Sequence, residues 1–219
     1  MLPHGDRGAP LAPGIGRSSK SWYDEGVGND RGRSTRAAVL DAAADLVAEL
    51  GWGRVSTRAV AERAGVRPGL VHYHFASQQE LLAEAALLRI TTLTGQGLDA
   101  LEDAPDLRAG LAMLRESVAH VDSSDPLHLL MAETHLAASR DPALADALRR
   151  AVADFRRRLA GWLVGRGVVS AVAGDVAALL TAVLDGIALH RALDPELSLT
   201  RVDALFETLT TSGGGSCTP

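Results

Sequence analysis

The chain has 219 residues, a net charge of −5, 47% hydrophobic residues and only 4% aromatic ones. That length accommodates a small domain beside a larger apolar core, and the acidic balance excludes a protein coated along its whole surface by nucleic acid. Alanine and leucine dominate while β-branched runs are scarce, which predicts an all-α fold. The single cysteine, Cys217, excludes an internal disulfide and fits a reducing cytoplasm. No apolar run reaches the roughly 20 residues needed to span a membrane, and the opening residues lack the apolar region of a signal peptide.

Residues 1–30 are rich in Gly, Pro, Ser and Asp and show no apolar period, so a disordered extension is expected. It either touches DNA through Arg17 and Lys20 or has no role of its own. A first helix is expected from Arg33 to Leu50, burying Val39, Ala43, Leu46, Val47 and Leu50 at helical spacing. Gly51 stops it, and Trp52 packs at the corner that follows or faces DNA. Ser56 is a good N-cap, and Val60, Ala61 and Ala64 then share one face of a short helix. Gly65 ends that helix by taking a left-handed conformation at no steric cost. Pro68 suits the first turn of another helix, running to Phe75, where no N–H is needed. Ser77 and Glu80 form a capping box that opens a further helix. Two short helices across a glycine turn make a helix-turn-helix, whose second helix lies in the DNA major groove.

The charge balance reverses along this stretch. Arg31, Arg33, Arg36, Arg54, Arg58, Arg63 and Arg67 stand against Asp41, Asp45, Glu49 and Glu62. A basic first domain on an acidic body either presents one face to DNA or is a solvated charged surface.

The motif T-R-A-V-A-E-R-A-G-V-x-x-G-x-V-x-Y-H-F-x-S-x-x-E-L-L, within Gly51 to Leu82, resembles the amino-terminal domain of TetR-type transcriptional regulators. The resemblance rests on the spacing of Ala64-Gly65-Val66, Gly69, His74-Phe75 and Leu81-Leu82. It implies a three-helix DNA-binding domain over 31–77 and a linker helix over 78–97. A helical ligand-binding and dimerisation domain over 98–210 and a disordered tail over 211–219 complete the expected layout. Two positions depart from the family pattern. His72 stands where tyrosine is usual, and Gln78 where lysine is usual; both family residues commonly touch phosphate, so the departures bear on phosphate affinity rather than fold.

The linker helix is expected from Gln78 towards Leu93, with Leu81, Leu82, Ala85 and Leu88 inward and Gly95 and Gly97 interrupting it. Beyond it, Pro105-Asp106 precedes a helix through Leu107, Leu111, Leu114 and Val118. Asp125-Pro126 and Asp141-Pro142 each place an N-cap before a proline, opening helices to Ser139 and Val164. Another helix is expected from Asp175 to Leu193 and a last one from Leu199 to Leu209.

The apolar run between Val176 and Leu189 needs cover on more than one side. With the stripe on the preceding long helix, it suggests an interface through Phe155, Leu159, Trp162, Leu180, Val183, Leu184 and Ile187. The alternative is a monomer with a deep core. The resemblance implies the dimer, in which two recognition helices reach successive major grooves. It also implies that Arg67, Pro68, Gly69, His72, Tyr73 and His74 face double-stranded operator DNA, with Ser56, Thr57 and Arg58 on phosphate.

A small-molecule effector is expected on Leu88, Met113, Ser117, His128, Met131 and His135, which the spacing places on inward-looking helix faces; ordinary core is the other reading of each. That lining favours an apolar, uncharged molecule over a sugar phosphate, which would need several Lys or Arg. His128 and His135 share a face, but no carboxylate or thiol there completes a metal site. No cofactor motif occurs: there is no phosphate-binding glycine loop and no G-x-S-x-G. The expected function is a cytoplasmic, homodimeric repressor released from its operator by an apolar effector. A helical protein-binding adaptor or an enzyme remains open on the residues alone.

Overall fold

The computed structural model describes the backbone of residues 22–211 and the side chains of residues 32–210. The described residues form helices and no strand: α1 Trp22–Leu50, α2 Thr57–Arg63, α3 Pro68–His74, α4 Gln78–Glu102, α5 Leu107–Ala119, α6 Pro126–Ala138, α7 Pro142–Gly165, α8 Ser170–Leu193 and α9 Val202–Thr211, with a single 3₁₀ turn at Trp52–Arg54. The chain divides at Ser34 into two compact units. In the first, the described backbone is helical from Trp22. Helix α1 therefore starts ahead of the expected Arg33, and 22–30 is not the irregular extension that composition suggested. Residues 1–21, with Arg17 and Lys20, the side chain of Arg31, and the tail 212–219 with Cys217 lie outside the described residues.

In the second unit the helix starts follow the capping chemistry of the sequence. The Ser56 hydroxyl accepts from the Ala59 N–H at 3.2 Å, and the Ser77 hydroxyl from the Glu80 N–H at 3.0 Å. Glu80 reaches back to the N–H of Ala76 at 2.8 Å, one residue ahead of the expected capping-box partner. Asp106, Asp125 and Asp141 cap α5, α6 and α7 through the N–H groups of Ala109, His128 and Leu144. Gly65 sits at φ 66°, a conformation that side chains rarely adopt, and so turns α2 into α3.

Two apolar cores follow. The first joins Val39, Val47, Val60, Val71 and Phe75 to Leu81, Leu82 and Ile90 of α4, and extends without a break to Leu130 of α6 and Leu144 and Leu148 of α7. Helices α1 and α4 are also tied by charge. Arg36 donates to both carboxylate oxygens of Glu84, at 2.5 and 2.6 Å, and lies over the Phe75 ring. Arg89 bridges Asp41 and Asp45 at 3.1 Å each.

A third tie runs from α6 to the 3₁₀ turn. Glu133 accepts the Trp52 N–H at 2.8 Å, while the buried Trp52 ring donates its Nε1–H to Gln79 at 3.0 Å. Gly51 turns beneath that carboxylate at φ 83°, and a Cβ there would stand 3.2 Å from Glu133 Oε1. Trp52 thus belongs to the corner and not to a DNA face.

The second core gathers Leu98 and Leu101 of α4, Leu111 and Leu114 of α5, Leu159 and Leu163 of α7, Leu180 of α8 and Phe206 of α9. It explains why α4 does not break at Gly95 and Gly97 but continues to Glu102. Each glycine costs about 1 kcal/mol in a helix interior, and burial of Leu98 and Leu101 offsets it at about 1.5–3 kcal/mol per side chain. The linker helix therefore ends beyond the expected residue 97. Helix α8 also begins at Ser170 rather than Asp175, and α9 at Val202 rather than Leu199.

The second core changes the place of the expected interface residues. Leu159 and Leu180 have no exposed surface and Leu184 has almost none, so they are core and offer nothing to a partner. Phe155, Val183 and Ile187 are half-buried against the same core. Trp162 donates its Nε1–H to the Leu101 carbonyl at 2.8 Å, and its six-membered ring occupies the space that a side chain at Gly110 would need. The apolar surface left on α8 is instead Leu179, Leu189 and Leu193, with Leu88 of α4, expected inward, also half exposed. Helix α8 is long and apolar enough to cross a membrane by length and composition alone, but its Ala177, Leu180 and Thr181 are buried in the protein.

Two outcomes test this packing. A Cβ at Gly110 would fall 2.2 Å from Trp162 Cζ2. Gly110→Ala should therefore cost about 1–3 kcal/mol of stability by overpacking, seen as a lower urea midpoint; an unchanged midpoint contradicts the seat of Trp162. Glu133→Ala leaves the Trp52 N–H without its acceptor and should cost about 1–3 kcal/mol. Glu133→Gln, which keeps an acceptor, should cost less, and equal melting of the two variants would show that the bond contributes nothing.

Candidate nucleic-acid interface and effector domain

Helix α3 follows directly from the glycine turn, with Pro68 at its first position and Arg67 as its cap residue. Val71 and Phe75 anchor it inward. The opposite face carries Arg67, Pro68, Gly69, His72 and Tyr73, all exposed. Tyr73 is 81% exposed, which is unusual for an aromatic side chain with no packing role. His74 is half-buried, its ring edge-on to Tyr73 at 5.1 Å, so it supports the face more than it forms it. A Cβ on Gly69 would meet nothing within 4 Å. Tight helix packing therefore does not explain this glycine; the position is open to whatever approaches α3.

Exposed Arg58 and half-buried Thr57 stand beside Ser56 at the start of α2, while the Ser56 hydroxyl is occupied by its own cap bond. The remaining arginines of the basic stretch are partly engaged. Arg63 forms a bidentate pair with Glu49 at 2.8 and 2.7 Å; this hydrogen bond holds the Glu49 carboxyl below the usual carboxylate range and raises the Arg63 guanidinium. Arg54 donates to the Leu50 carbonyl, and Arg36 is held by Glu84. Arg58 and Arg67 are exposed and in no ion pair among the described residues, and charge counting along the sequence missed that Arg36 and Arg63 are committed to carboxylates.

The six expected effector residues are not brought together. Leu88 lies in a shallow groove between α4 and α7. Met113 and Ser117 are exposed on α5, the Ser117 hydroxyl donating to the Leu114 carbonyl at 2.7 Å. Met131 packs on the first core, and His128 is half-buried near the start of α6. Helical spacing put Leu88, Met113, Ser117 and His135 on inward-looking faces, yet all four are exposed, because periodicity does not say which neighbour covers a face. Only His135 reaches a larger cavity, of about 630 Å³, whose lining comes mostly from one face of α7, with Gly174 of α8 opposite. Val152, expected on the interface stripe of α7, lines this cavity instead, and Arg156 and Ala160 were not foreseen, although the spacing of four residues was visible. Among the described residues no three His, Cys, Asp or Glu side chains gather as a metal site.

Comparison with known proteins agrees with this division. Residues 39–85 match the family described as bacterial regulatory proteins, tetR family. Residues 105–212 match the family described as tetracyclin repressor-like, C-terminal domain. An uncharacterised HTH-type transcriptional regulator of Mycobacterium bovis is 29% identical over 192 residues, covering 82% of this chain and 95% of that protein. The HTH-type transcriptional repressor KstR of Mycolicibacterium smegmatis is 29% identical over 125 residues, covering 57% of this chain and 53% of KstR. Among solved structures, a transcriptional regulator of Streptomyces coelicolor A3(2) superposes with a TM-score of 0.66 at 29% identity, covering 81% of this chain and 98% of that one. The two family matches take in most of each apolar core and the exposed face of α3: the chain belongs to the TetR family of ligand-responsive, DNA-binding transcriptional regulators.

Proposed function

We propose that the chain acts in the cytoplasm as a homodimeric repressor, released from a double-stranded operator by a small effector with a largely apolar body. The observation that carries this reading is the outward face of α3, where Arg67, Gly69, His72 and Tyr73 are exposed together above a buried Val71 and Phe75. Arg67 can pair with guanine. Gly69 lets the backbone come close, and Tyr73 and His72 contact bases or sugars. Ser56, Thr57 and Arg58 meet phosphate at the start of α2. Half-buried His74 holds Tyr73 in place, and Pro68 presets the first turn.

The dimer forms through the outward face of α8, where Leu179, Ala182, Leu189 and Leu193 are exposed. Phe155, Trp162, Val183 and Ile187 back that face from inside the protomer. In this arrangement α6 carries the signal. It contributes His135 to the cavity and, two residues earlier, Glu133 to the turn before α2. An effector that binds better when α6 is displaced lowers operator affinity by the ratio of its affinities for the two forms.

Two measurements test these assignments. Arg67→Ala and Tyr73→Ala should each weaken operator binding by about 1–3 kcal/mol with the circular dichroism spectrum unchanged. If both variants bind like the parent, α3 does not read DNA through this face. Leu179→Glu and Leu189→Glu should yield folded monomers with weak operator binding, whereas Leu180→Glu should unfold the protein by burying a charge. Sedimentation of either exposed-face variant as an intact dimer would move the interface off α8.

A further inference from the structure

The cavity between α6, α7 and α8 has a lining of two kinds. Leu148, Val152, Ala138 and Ala160 form an apolar floor; His135, Arg149, Arg156 and Arg157 stand around it, and no carboxylate lines it. The arginines differ in their commitments. Arg149 and Arg157 form pairs with Asp146 and Asp154 on the same helix, with most of each side chain in solvent, where such pairs contribute little and exchange easily. Arg156 is different. Its Nε is buried and has no hydrogen-bond partner, and no ion pair is formed by it among the described residues. A buried guanidinium donor left unmatched is costly, and it needs an acceptor that the protein does not supply.

Asp185 of α8 is within electrostatic reach of both His135 and Arg156 but does not line the cavity. Loss of hydration pushes its carboxyl up, and the charges of His135 and Arg156 oppose that shift. It therefore influences both groups without reaching ion-pair distance of either.

We propose that this cavity binds a small amphipathic anion, its acid group held by Arg156 and its apolar body lying on Leu148, Val152 and Ala160. A volume of about 630 Å³ suits a molecule of that size. An uncharged apolar molecule would leave the Arg156 donor unmatched, and an organic cation would face the guanidinium groups of Arg149, Arg156 and Arg157 in the lining. The inference rests on the reading of the chain as an effector-released regulator, but its test is direct binding, so either can fail without the other.

Titration of the full-length dimer with decanoate, decanol and decyltrimethylammonium by calorimetry provides the test. Decanoate should bind saturably, decanol at least about tenfold more weakly, as expected when a charge-assisted hydrogen bond is lost, and the ammonium compound not at all. Arg156→Gln should abolish the preference for decanoate while leaving decanol binding unchanged, and Arg156→Lys should keep the order of the three probes. Val152→Phe should weaken decanoate and decanol alike by filling the floor. If Arg156→Gln does not fold, Arg156→Met, which keeps the length and apolar stem of the side chain without its charge, should abolish the preference in its place.

Equal affinity for decanoate and decanol overturns the proposal, as does no binding of any probe or an unaltered preference in the arginine variants. Sedimentation of Arg156→Gln as a monomer also overturns it, since the cavity would then be an interface between copies. Decanoate binding through Arg156 without release of operator DNA leaves the site standing and removes the effector-release reading.

Discussion

A buried peptide N–H must find an acceptor, and at Trp52 that acceptor is a carboxylate 81 residues away in sequence. The contact between Glu133 and the turn at Gly51-Trp52 links the element that aims α2 and α3 to a helix of the second domain. It acts together with the first core, which runs from α1 through α4 to Leu130 and Leu148 without interruption. The DNA-binding head is thus not a separate module on a flexible tether. Its helices share a close-packed interior with α6 and α7, and such interiors switch between arrangements more readily than they deform. The requirement for glycine at position 51 follows from the same contact, because φ 83° and the overlying carboxylate both disfavour a side chain.

This arrangement gives regulation a physical route. Glu133 and His135 are two residues apart on α6 and point to different neighbours, one to the head and one to the cavity. A small rotation or shift of α6 alters both environments at once. The coupling needed is modest: a hundredfold change in operator affinity corresponds to about 2.7 kcal/mol, within the range of one buried charge-assisted hydrogen bond and the contacts around it. No continuous chain of contacts across the molecule is required beyond the helix itself.

Much of this was legible in the sequence because it is local. Ser56, Ser77, Asp106, Asp125 and Asp141 each cap the helix expected of them, since capping depends on neighbours two or three residues away. The face of α3 was legible for the same reason: Val71 and Phe75 leave only one side for Arg67 and Tyr73. What failed was tertiary. Gly95 and Gly97 look like a break, yet the burial of Leu98 and Leu101 carries α4 past them. In α8, apolar residues on nearly every side hide which of two leucines in succession faces solvent; Leu179 is half exposed and Leu180 fully buried. The effector residues scattered because helix periodicity defines a face but not the helix packed against it. Arg156 escaped notice because an arginine in an alanine-rich helix looks like surface until the helices on either side are in place.

The fate of the arginines also limits how the head can hold DNA. Seven arginines between Arg31 and Arg67 suggest a strong electrostatic grip, but Arg36 and Arg63 are bound to Glu84 and Glu49, and Arg54 to a carbonyl. His72 and Gln78 stand at positions where tyrosine and lysine are usual in the family. Each phosphate neutralised adds about 0.9 to the slope of log affinity against log salt, so on the proposed reading of α3 the carboxylate-bound Arg36 and Arg63 would add less to that slope than the exposed Arg58 and Arg67. Base contacts from Arg67 and Tyr73 would in turn require the two heads of a dimer to be held at one spacing.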